Sequence, residues 1–190
     1  MVSKKENTKT LKNERKAALP VTILVMCAAM AALTGICSQI QIPLPMIPIN
    51  LALFAVHLSG ILLGPKYGAV SMLVYVLMGC AGLPVFAGFS GGVGILFGKT
   101  GGYILGYILD ALIVGALIKR FGASVPKMFM AMTAGLFVCY LFGTVWFMRI
   151  SHMGLWTSLM YCVFPFLVGD IVKMILAAWI GRRLRKVINR

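Results

Sequence analysis

Two oppositely charged side chains, Asp170 and Lys173, lie inside a hydrophobic segment near the C-terminus, FPFLVGDIVKMILAAWIG. Residues three apart share one face of a helix, so the carboxylate and the ammonium project from the same side. A charge inside a membrane span costs roughly 2.5–3.5 kcal/mol on insertion scales, and such groups therefore tend to face a cavity, a partner or a ligand. A carboxylate accepts N–H hydrogen bonds, and an ammonium donates to oxygen. The pair indicates either ligand recognition or a structural ion pair that holds helices together.

The most unusual segment is glycine-rich and runs from Gly82 to Tyr103, GLPVFAGFSGGVGILFGKTGGY. Each glycine costs a helix about 1 kcal/mol relative to alanine, so this segment does not predict one continuous helix. Irregular backbone at membrane depth persists only where it is buried in protein or lines a cavity. We expect a packed loop that forms the roof or wall of a pocket, and a flexible outer loop is the alternative.

Within this segment, Gly98-Lys99-Thr100 looks like the end of a phosphate-binding loop. The full pattern places a glycine where Val93 stands and requires a preceding strand, and neither condition is met. An ATP site is therefore not supported. Lys99 is expected either to meet the carboxylate of an incoming ligand or to be a solvated lysine at the membrane surface.

The remaining acidic and imidazole side chains of the apolar region form no recognisable catalytic or metal-binding pattern. Asp110 is a second buried carboxylate without an evident basic partner, and its role stays open. His57 and His152 lie far apart, with no acid or cysteine at ligand spacing. Because no nucleophile–base constellation is visible, we expect neither catalytic residues, nor a metal, nor a cofactor. A membrane-embedded enzyme or a scaffold is kept as one alternative function.

The elements that must position these residues are membrane-spanning helices. Of the 190 residues, 61% are hydrophobic and 12% are charged, whereas an ordinary soluble domain has about 45–50% and about 25%. The mean hydropathy is +0.97. This composition predicts an all-α, multi-pass membrane protein.

Six membrane spans are predicted, and Gly64-Pro65-Lys66 separates the second from the third. The spans lie at about 21–40, 50–63, 67–78, 102–118, 128–148 and 159–180. The predicted organisation is a basic cytoplasmic tail at 1–19, a six-helix membrane domain at 20–181 and a basic cytoplasmic tail at 182–190.

Membrane topology accounts for the net charge of +14. Cytoplasmic loops carry an excess of Lys and Arg, and placing both tails inside leaves only Lys99 and Arg149 outside. Aromatic residues are not interleaved with the basic runs, as a surface for single-stranded nucleic acid would require. The sequence therefore predicts that both termini are cytoplasmic, that the bundle is surrounded by membrane lipid, and that nucleic acid is not a partner.

Small residues form a stripe along the first span, in which Ala28 and Ala32 are four residues apart. Such a stripe allows two helices to approach closely. It indicates either packing inside the bundle or a docking face for another membrane subunit.

Several motifs taken together resemble the BioY family, the biotin-binding S components of energy-coupling factor (ECF) transporters. They are IPLPMIPIN, LSGILLGPKYGA, GLPVFAGFSGG, GKTGGY and the late DIVK, and the resemblance covers about residues 28–181. It implies a six-helix S-component fold in the bacterial cytoplasmic membrane, with a biotin pocket near the outer surface and capped by the loop after the third span. It also implies that Asp170 and Lys173 match the family's biotin-contacting pair, and that the helix carrying Ala28 and Ala32 faces the transmembrane T subunit.

The function implied by this resemblance is high-affinity biotin uptake, powered through the T subunit by two cytoplasmic ATPase subunits. Two alternatives remain, namely a solitary biotin transporter and an S component for another vitamin such as thiamine. On the biotin hypothesis, Asp170 accepts a ureido N–H and Lys173 donates to a ligand oxygen. The groups expected to surround the rest of the vitamin are Phe86, Phe89 and Tyr103 on its apolar parts, and Gly91, Gly92, Thr100 and Lys99 around its carboxylate.

Two positions depart from the family's pattern. Lys99 stands where the family often has a proline, and Asn50-Leu51-Ala52 stands where it often has a TLQ-like sequence. A glutamine contact is therefore lost, and Asn50 is the candidate substitute at a neighbouring position.

Overall fold

The chain folds into a helical bundle with one small two-stranded ribbon. The computed structural model describes the backbone of residues 2–44 and 46–188, and the side chains of residues 21–44 and 46–186. In chain order the elements are α1 (Val2–Gln39), β1 (Gln41–Ile42), β2 (Ile49–Asn50), α2 (Ala52–Cys80), α3 (Val93–Leu96), α4 (Gly101–Phe121), α5 (Val125–Ser151), α6 (Leu155–Cys162) and α7 (Phe164–Ile188). Within the described residues, five helices (α1, α2, α4, α5 and α7) contain segments long and apolar enough to cross a membrane. The chain is therefore a multi-pass membrane protein.

Helix α2 contains a sharp bend at Gly64, where the backbone has φ 73° and ψ −172°. Glycine adopts this conformation readily because it has no Cβ, and Pro65 next to it cannot donate a backbone hydrogen bond. The two halves of the helix then approach each other, since Ser59 Oγ donates to the Gly68 carbonyl over 3.4 Å. The break predicted at this position is confirmed, although the helical residues extend through Cys80.

Helix α2 lies at the centre of the bundle and packs against α1, α4 and α7, while α5 packs against α4. Small side chains bring these helices close together, and Ala55, Ala111 and Ala131 are completely buried. Large apolar side chains such as Phe137 and Val168 lie exposed on the outside. A bundle that is apolar on its outer surface is suited to a lipid environment rather than to water.

The predicted sixth span, at about 159–180, is wrong at its N-terminal end. The chain leaves helical geometry at Val163, where φ is −122° and ψ is −58°, and this residue separates α6 from α7. Pro165 then lies in the first turn of α7, where its missing N–H has no intrahelical partner to lose. As a result, Asp170 and Lys173 lie in the second and third turns of a helix that begins at Phe164.

The two ends of the bundle differ in composition. One end carries the β1–β2 ribbon and the loop at 81–100, and the other carries the bend of α2, the α4–α5 connection and the C-terminal part of α7. At this second end, Arg185 Nη1 donates to the Ile61 carbonyl over 3.3 Å, which ties α7 to α2 next to the bend. The basic side chains Arg182, Arg185 and Lys186 surround Ala123 and Met128 there. Basic residues thus collect at the end opposite the ribbon.

Candidate functional site

A cavity of about 190 Å³ lies beneath the ribbon and the loop at 81–100, between α2, α4, α5 and α7. This volume is about six times that of one water molecule in the liquid, so the cavity has room for a small molecule. Its walls are mostly apolar and aromatic, with a few polar groups. The aromatic side chains are Tyr75, Phe86, Tyr103, Tyr107, Tyr140 and Phe166. An apolar cavity with few convergent polar groups is typical of a small-molecule binding site.

The charged pair on α7 lines this cavity. Lys173 Nζ donates to Asp170 Oδ1 over 2.6 Å, and both side chains are buried. The predicted sharing of one helical face is therefore confirmed. From α5, Tyr140 Oη donates to the other carboxylate oxygen, Asp170 Oδ2. Both oxygens of the carboxylate are thus held in place by neighbouring donors.

Hydrogen-bonding capacity remains at this pair after its internal contacts are made. The Lys173 ammonium has three N–H donors, and one of them is used by Asp170. Each carboxylate oxygen has two lone pairs, of which one accepts from Lys173 or from Tyr140. The pair can therefore offer both an acceptor and a donor to a ligand in the cavity while it stays intact.

Tyr140 is a member of the site that sequence reasoning missed. It lies in LFVCYLFG, where a tyrosine is indistinguishable from an ordinary aromatic residue of a membrane helix. Its partner Asp170 is 30 residues away in the chain. Only the packing of α5 against α7 brings the two side chains together.

Buried hydrogen bonds fix the aromatic walls of the cavity. Tyr103 Oη and Thr144 Oγ1 lie 3.0 Å apart, and Tyr75 Oη and Ser38 Oγ lie 2.9 Å apart. The ring of Phe86 meets the ring of Tyr75 edge-on, with centroids 5.6 Å apart, a favourable arrangement of aromatic quadrupoles. These contacts leave rigid apolar surfaces facing the cavity.

The ribbon brings Asn50 to the cavity. Strands β1 and β2 pair antiparallel, with Gln41 opposite Asn50. Asn50 Oδ1 accepts from the Ala52 N–H over 3.1 Å at the start of α2, which orients the side-chain amide. Asn50 lines the cavity wall together with Ile47 and Pro48. Its side chain also hydrogen-bonds Tyr107, and an amide NH₂ has two N–H donors, so one can still reach a ligand.

The glycine-rich loop packs against the bundle, as predicted, and side chains from two neighbouring helices contact it. The Gln39 side chain at the end of α1 donates to the carbonyls of Pro84 and Phe86 and accepts from the Phe89 N–H. Trp146 Nε1 on α5 donates to the Gly98 carbonyl over 3.1 Å. The loop thereby covers the cavity with the buried ring of Phe86, while Ala87 and Ser90 also line it.

The predicted ligand-contacting residues divide into two groups. Those that line the cavity are Asn50, Phe86, Thr100, Tyr103, Asp170 and Lys173. Those that do not are Phe89, Gly91, Gly92 and Lys99. Phe89 is 72% exposed, the Gly92 N–H already donates to the Gly79 carbonyl, and Lys99 Nζ lies 3.5 Å from Met46 Sδ at the outer rim.

The two residues of the predicted stripe on α1, Ala28 and Ala32, are both exposed. Ala31 on the adjacent face of the helix is completely buried. The stripe therefore lies on the outside of the described bundle instead of at a contact between its own helices.

Asp110 does have a basic partner, contrary to the expectation from the sequence. His57 Nε2 lies 3.2 Å from Asp110 Oδ2, and both side chains are fully buried. Neither residue lines the cavity. The pairing was missed because it joins α2 to α4 across 53 positions of the chain, where no spacing rule applies.

Comparison with known proteins gives consistent results over nearly the whole chain. The family model described as the BioY family matches residues 7–190. A probable biotin transporter BioY from Pyrococcus horikoshii is 38% identical over 160 residues, which are 84% of this chain and 94% of that protein. The biotin transporter BioY from Thermotoga maritima is 37% identical over 164 residues, or 86% and 96% of the two chains.

A solved structure gives the same result for the fold. It is the crystal structure of the S-component for biotin from an ECF-type ABC transporter, which superposes with a TM-score of 0.83 at 30% sequence identity. The match covers 89% of this chain and 93% of the other. The arrangement of helices around the cavity is therefore that of an S component, and the chain belongs to the BioY family.

Proposed function

We propose that this chain binds biotin in the cavity under the glycine-rich loop and serves as the substrate-specific subunit of an ATP-driven ECF transporter. The observation that carries the proposal is the Asp170–Lys173 pair at the cavity wall, which Tyr140 holds in place. An acceptor and a donor side by side match the ureido group of biotin, whose ring carries N–H donors next to a carbonyl acceptor. The relatives named as biotin transporters support the same ligand.

The proposed pose places the ureido ring against α7. Asp170 accepts a ureido N–H, Lys173 donates to a ligand oxygen, and the Asn50 amide is a further donor from the ribbon. The rings of Phe86 and Tyr103 cover the apolar thiophane and the chain. The carboxylate of biotin then lies toward Thr100, which lines the cavity, and Lys99 lies beyond it at the outer rim.

We further propose six membrane crossings with both termini in the cytoplasm. The bend at Gly64 supports counting the two halves of α2 as separate crossings, because the halves pack against each other. The collection of Lys and Arg at the end opposite the ribbon supports placing that end inside. In this orientation the cavity lies at the outer end of the bundle, beneath the loop at 81–100, and the basic segments at 1–19 and 182–190 are cytoplasmic.

The proposed partners are a transmembrane T subunit and two cytoplasmic ATPase subunits, in a bacterial cytoplasmic membrane. The exposed Ala28 and Ala32 on α1 support a close contact with a helix of the T subunit, because small residues let helix backbones approach. Surrounding lipid covers the remaining apolar surface. A solitary transporter without ATPases is the alternative, and co-purification of this chain with T and ATPase subunits distinguishes the two.

Direct ligand binding tests the proposal. The purified protein in lipid nanodiscs is titrated with biotin by calorimetry, first alone and then in the presence of excess thiamine. We expect biotin to bind and thiamine not to compete. Binding of thiamine instead of biotin would assign the chain to another vitamin.

Two variants on α7 test the site itself. Lys173→Met keeps the length and apolar stem of the side chain but removes the donor, so we expect the biotin affinity to fall by at least about tenfold. Val168→Ala changes a lipid-exposed residue of the same helix, and its affinity should match that of the wild type. Equal affinities in all three proteins would reject the proposed site.

A further inference from the structure

The buried contact between His57 and Asp110 has no part in the proposed binding of biotin. Nε2 of the imidazole lies 3.2 Å from Oδ2 of the carboxylate, and both side chains are 0% exposed. Among the described residues, neither side chain has a hydrogen-bond partner of standard geometry. Each is therefore the only charge-complementary group that the other meets in the described part of the bundle.

The position of this contact relates it to the cavity. Leu53 and Tyr107 line the cavity, and they precede His57 and Asp110 by four and three residues on α2 and α4. Residues at these spacings lie on one face of a helix, so the contact lies one helical turn below the cavity.

Helix α5 completes the same layer. Gly135 faces the carboxylate so closely that a Cβ on it would overlap Asp110 Oδ1. Cys139, one turn further along α5, lines the cavity. On each of the helices α2, α4 and α5, one residue therefore lines the cavity and another, one turn away, lies in the layer beneath the cavity.

Charge balance limits the protonation state of this contact. An imidazolium next to a carboxylate and an imidazole next to a carboxylic acid both hold one proton and have no net charge. Removing that proton leaves a net negative charge inside the membrane, and adding a second one leaves a net positive charge. Both changes bury an uncompensated charge, which is strongly unfavourable.

We propose that His57 and Asp110 share one proton as a net-neutral pair that ties α2 to α4 against Gly135, and that this tie positions the floor of the ligand cavity. The two residues are positioning residues, since neither lines the cavity. The inference deepens the proposed function and rests on it only where ligand affinity is the readout. The stability of the folded chain tests the pair independently.

The side chains around the pair do not supply a competing titration. Arg185 on α7 donates to the Ile61 carbonyl, one turn along α2 from His57, and a guanidinium stays protonated in proteins. The buried titratable side chains on the surrounding helices are Cys27 and Cys37 on α1, Tyr75 on α2, Tyr103 and Tyr107 on α4, Cys139 on α5, and Asp170 with Lys173 on α7. Thiols and phenols are uncharged near neutral pH. Asp170 and Lys173 neutralise each other.

Opposite pH dependences of two single variants are the expected signature. The apparent unfolding temperature is measured in nanodiscs from about pH 5.5 to about pH 8.5, a range that spans the ordinary ionisation of histidine. His57→Leu leaves a lone buried carboxyl that is neutral only when protonated, so its folded state binds more protons than its unfolded state and its stability falls as the pH rises. Asp110→Asn leaves a lone imidazole that is neutral only when deprotonated, so its stability falls as the pH falls. The wild type should lose stability only above about pH 6.5, where the unfolded chain releases the histidine proton that the folded pair keeps, so its total loss is smaller than that of His57→Leu.

The double variant His57→Gln/Asp110→Asn is the matched control, because an amide pair can keep the tie without any titratable group. We expect the unfolding temperature of the double variant to show neither of these pH dependences. It should exceed that of His57→Leu at the high end of the pH range and that of Asp110→Asn at the low end. Slopes of the same sign in the two single variants, or a double variant that is less stable than both, would overturn the shared-proton pair.

The positioning role is tested by biotin affinity. We expect each single variant to bind biotin about three- to tenfold more weakly, and the amide pair to recover most of that loss. Gly135→Ala should also weaken binding because it displaces Asp110, whereas Gly154→Ala adds a methyl group into open space and should not. Unchanged affinity in Gly135→Ala and in both single variants would reject the positioning role. If the wild type binds no biotin, the proposed function fails, and the pH slopes still decide whether the pair exists.

Discussion

The described residues of the bundle include two buried acid–base pairs, and the two differ in what surrounds them. Asp170 and Lys173 lie three residues apart on one helix, at the wall of a cavity, with Tyr140 as a third partner. His57 and Asp110 lie on different helices, away from the cavity, and have no other partner among the described residues. The first pair keeps unused donors and acceptors that face open volume. The second is enclosed by packed side chains.

This difference separates two reasons for placing charge inside a membrane protein. Burying ionisable groups inside a membrane protein is costly in both places, so burial alone does not identify a ligand site. Access to a cavity and spare hydrogen-bonding capacity favour a ligand site at the pair on α7. We therefore propose ligand recognition for the pair on α7 and helix positioning for the pair between α2 and α4.

Replacing the carboxylate of each pair by alanine should give the largest contrast. In Asp170→Ala, Lys173 loses its buried counter-charge and the ligand loses an acceptor, so we expect biotin affinity to fall by about a hundredfold or more. In Asp110→Ala, we expect biotin affinity to fall by about tenfold or less. The unfolding temperature should fall further in Asp110→Ala than in Asp170→Ala, because the His57–Asp110 pair joins two helices. Calorimetry and thermal unfolding of both proteins in nanodiscs measure the two effects.

The proposed difference between the two pairs depends on which of these two variants weakens biotin binding more. If Asp110→Ala weakens binding as much as Asp170→Ala does, the two pairs do not have separate roles. If Asp170→Ala leaves the affinity unchanged, the pair on α7 is a structural ion pair. Val168→Ala is the control on α7 for both measurements, since its side chain faces outward.

The sequence predicted those parts of the fold that depend on the residues of a single segment. The run of apolar residues in α4 and the Gly64-Pro65 break in α2 are both local features, and the structure contains both. The start of the last span was wrong because hydropathy stays high across Val163 and only backbone geometry divides α6 from α7 there. Apolar composition indicates which residues lie within the membrane, but it does not indicate where a helix is interrupted.

The residues of the site also divide into those that local spacing predicts and those that depend on contacts between helices. Asp170 and Lys173 could be paired from their spacing alone, because one helix positions both. Tyr140 and the His57 partner of Asp110 could not, since each contact joins two helices whose relative rotation the sequence does not specify. Gln39 was missed for a related reason, because its role depends on where the distant loop at 81–100 folds over α1.

A smaller effect is expected when the third partner of the recognition pair is removed. Tyr140→Phe deletes the hydroxyl that donates to Asp170 Oδ2 and leaves the ring in place. A hydrogen bond to a charged group contributes about 1.5–3 kcal/mol, and the freed oxygen can accept from the ligand instead. We therefore expect a net loss of biotin affinity of about fivefold, measured by calorimetry beside Tyr161→Phe, an exposed tyrosine on α6. A loss as large as that of Asp170→Ala would mean that Tyr140 contacts the ligand itself.

The smallest effect is expected at Lys99, a charged group that belongs to neither buried pair. Its ammonium lies at the outer rim against Met46 rather than in the cavity lining. An exposed cation near a cavity mouth attracts an anionic ligand and raises the association rate more than it slows dissociation, and added salt weakens this attraction. We expect Lys99→Gln to slow biotin association by about threefold or less at low salt, with little change at high salt, as measured by stopped-flow binding. Lys66→Gln, at the opposite end of the bundle, should leave the rate unchanged. A slower association that persists at high salt, or a dissociation rate raised tenfold, would instead place Lys99 in direct contact with the ligand carboxylate and extend the recognition site from α7 to the rim.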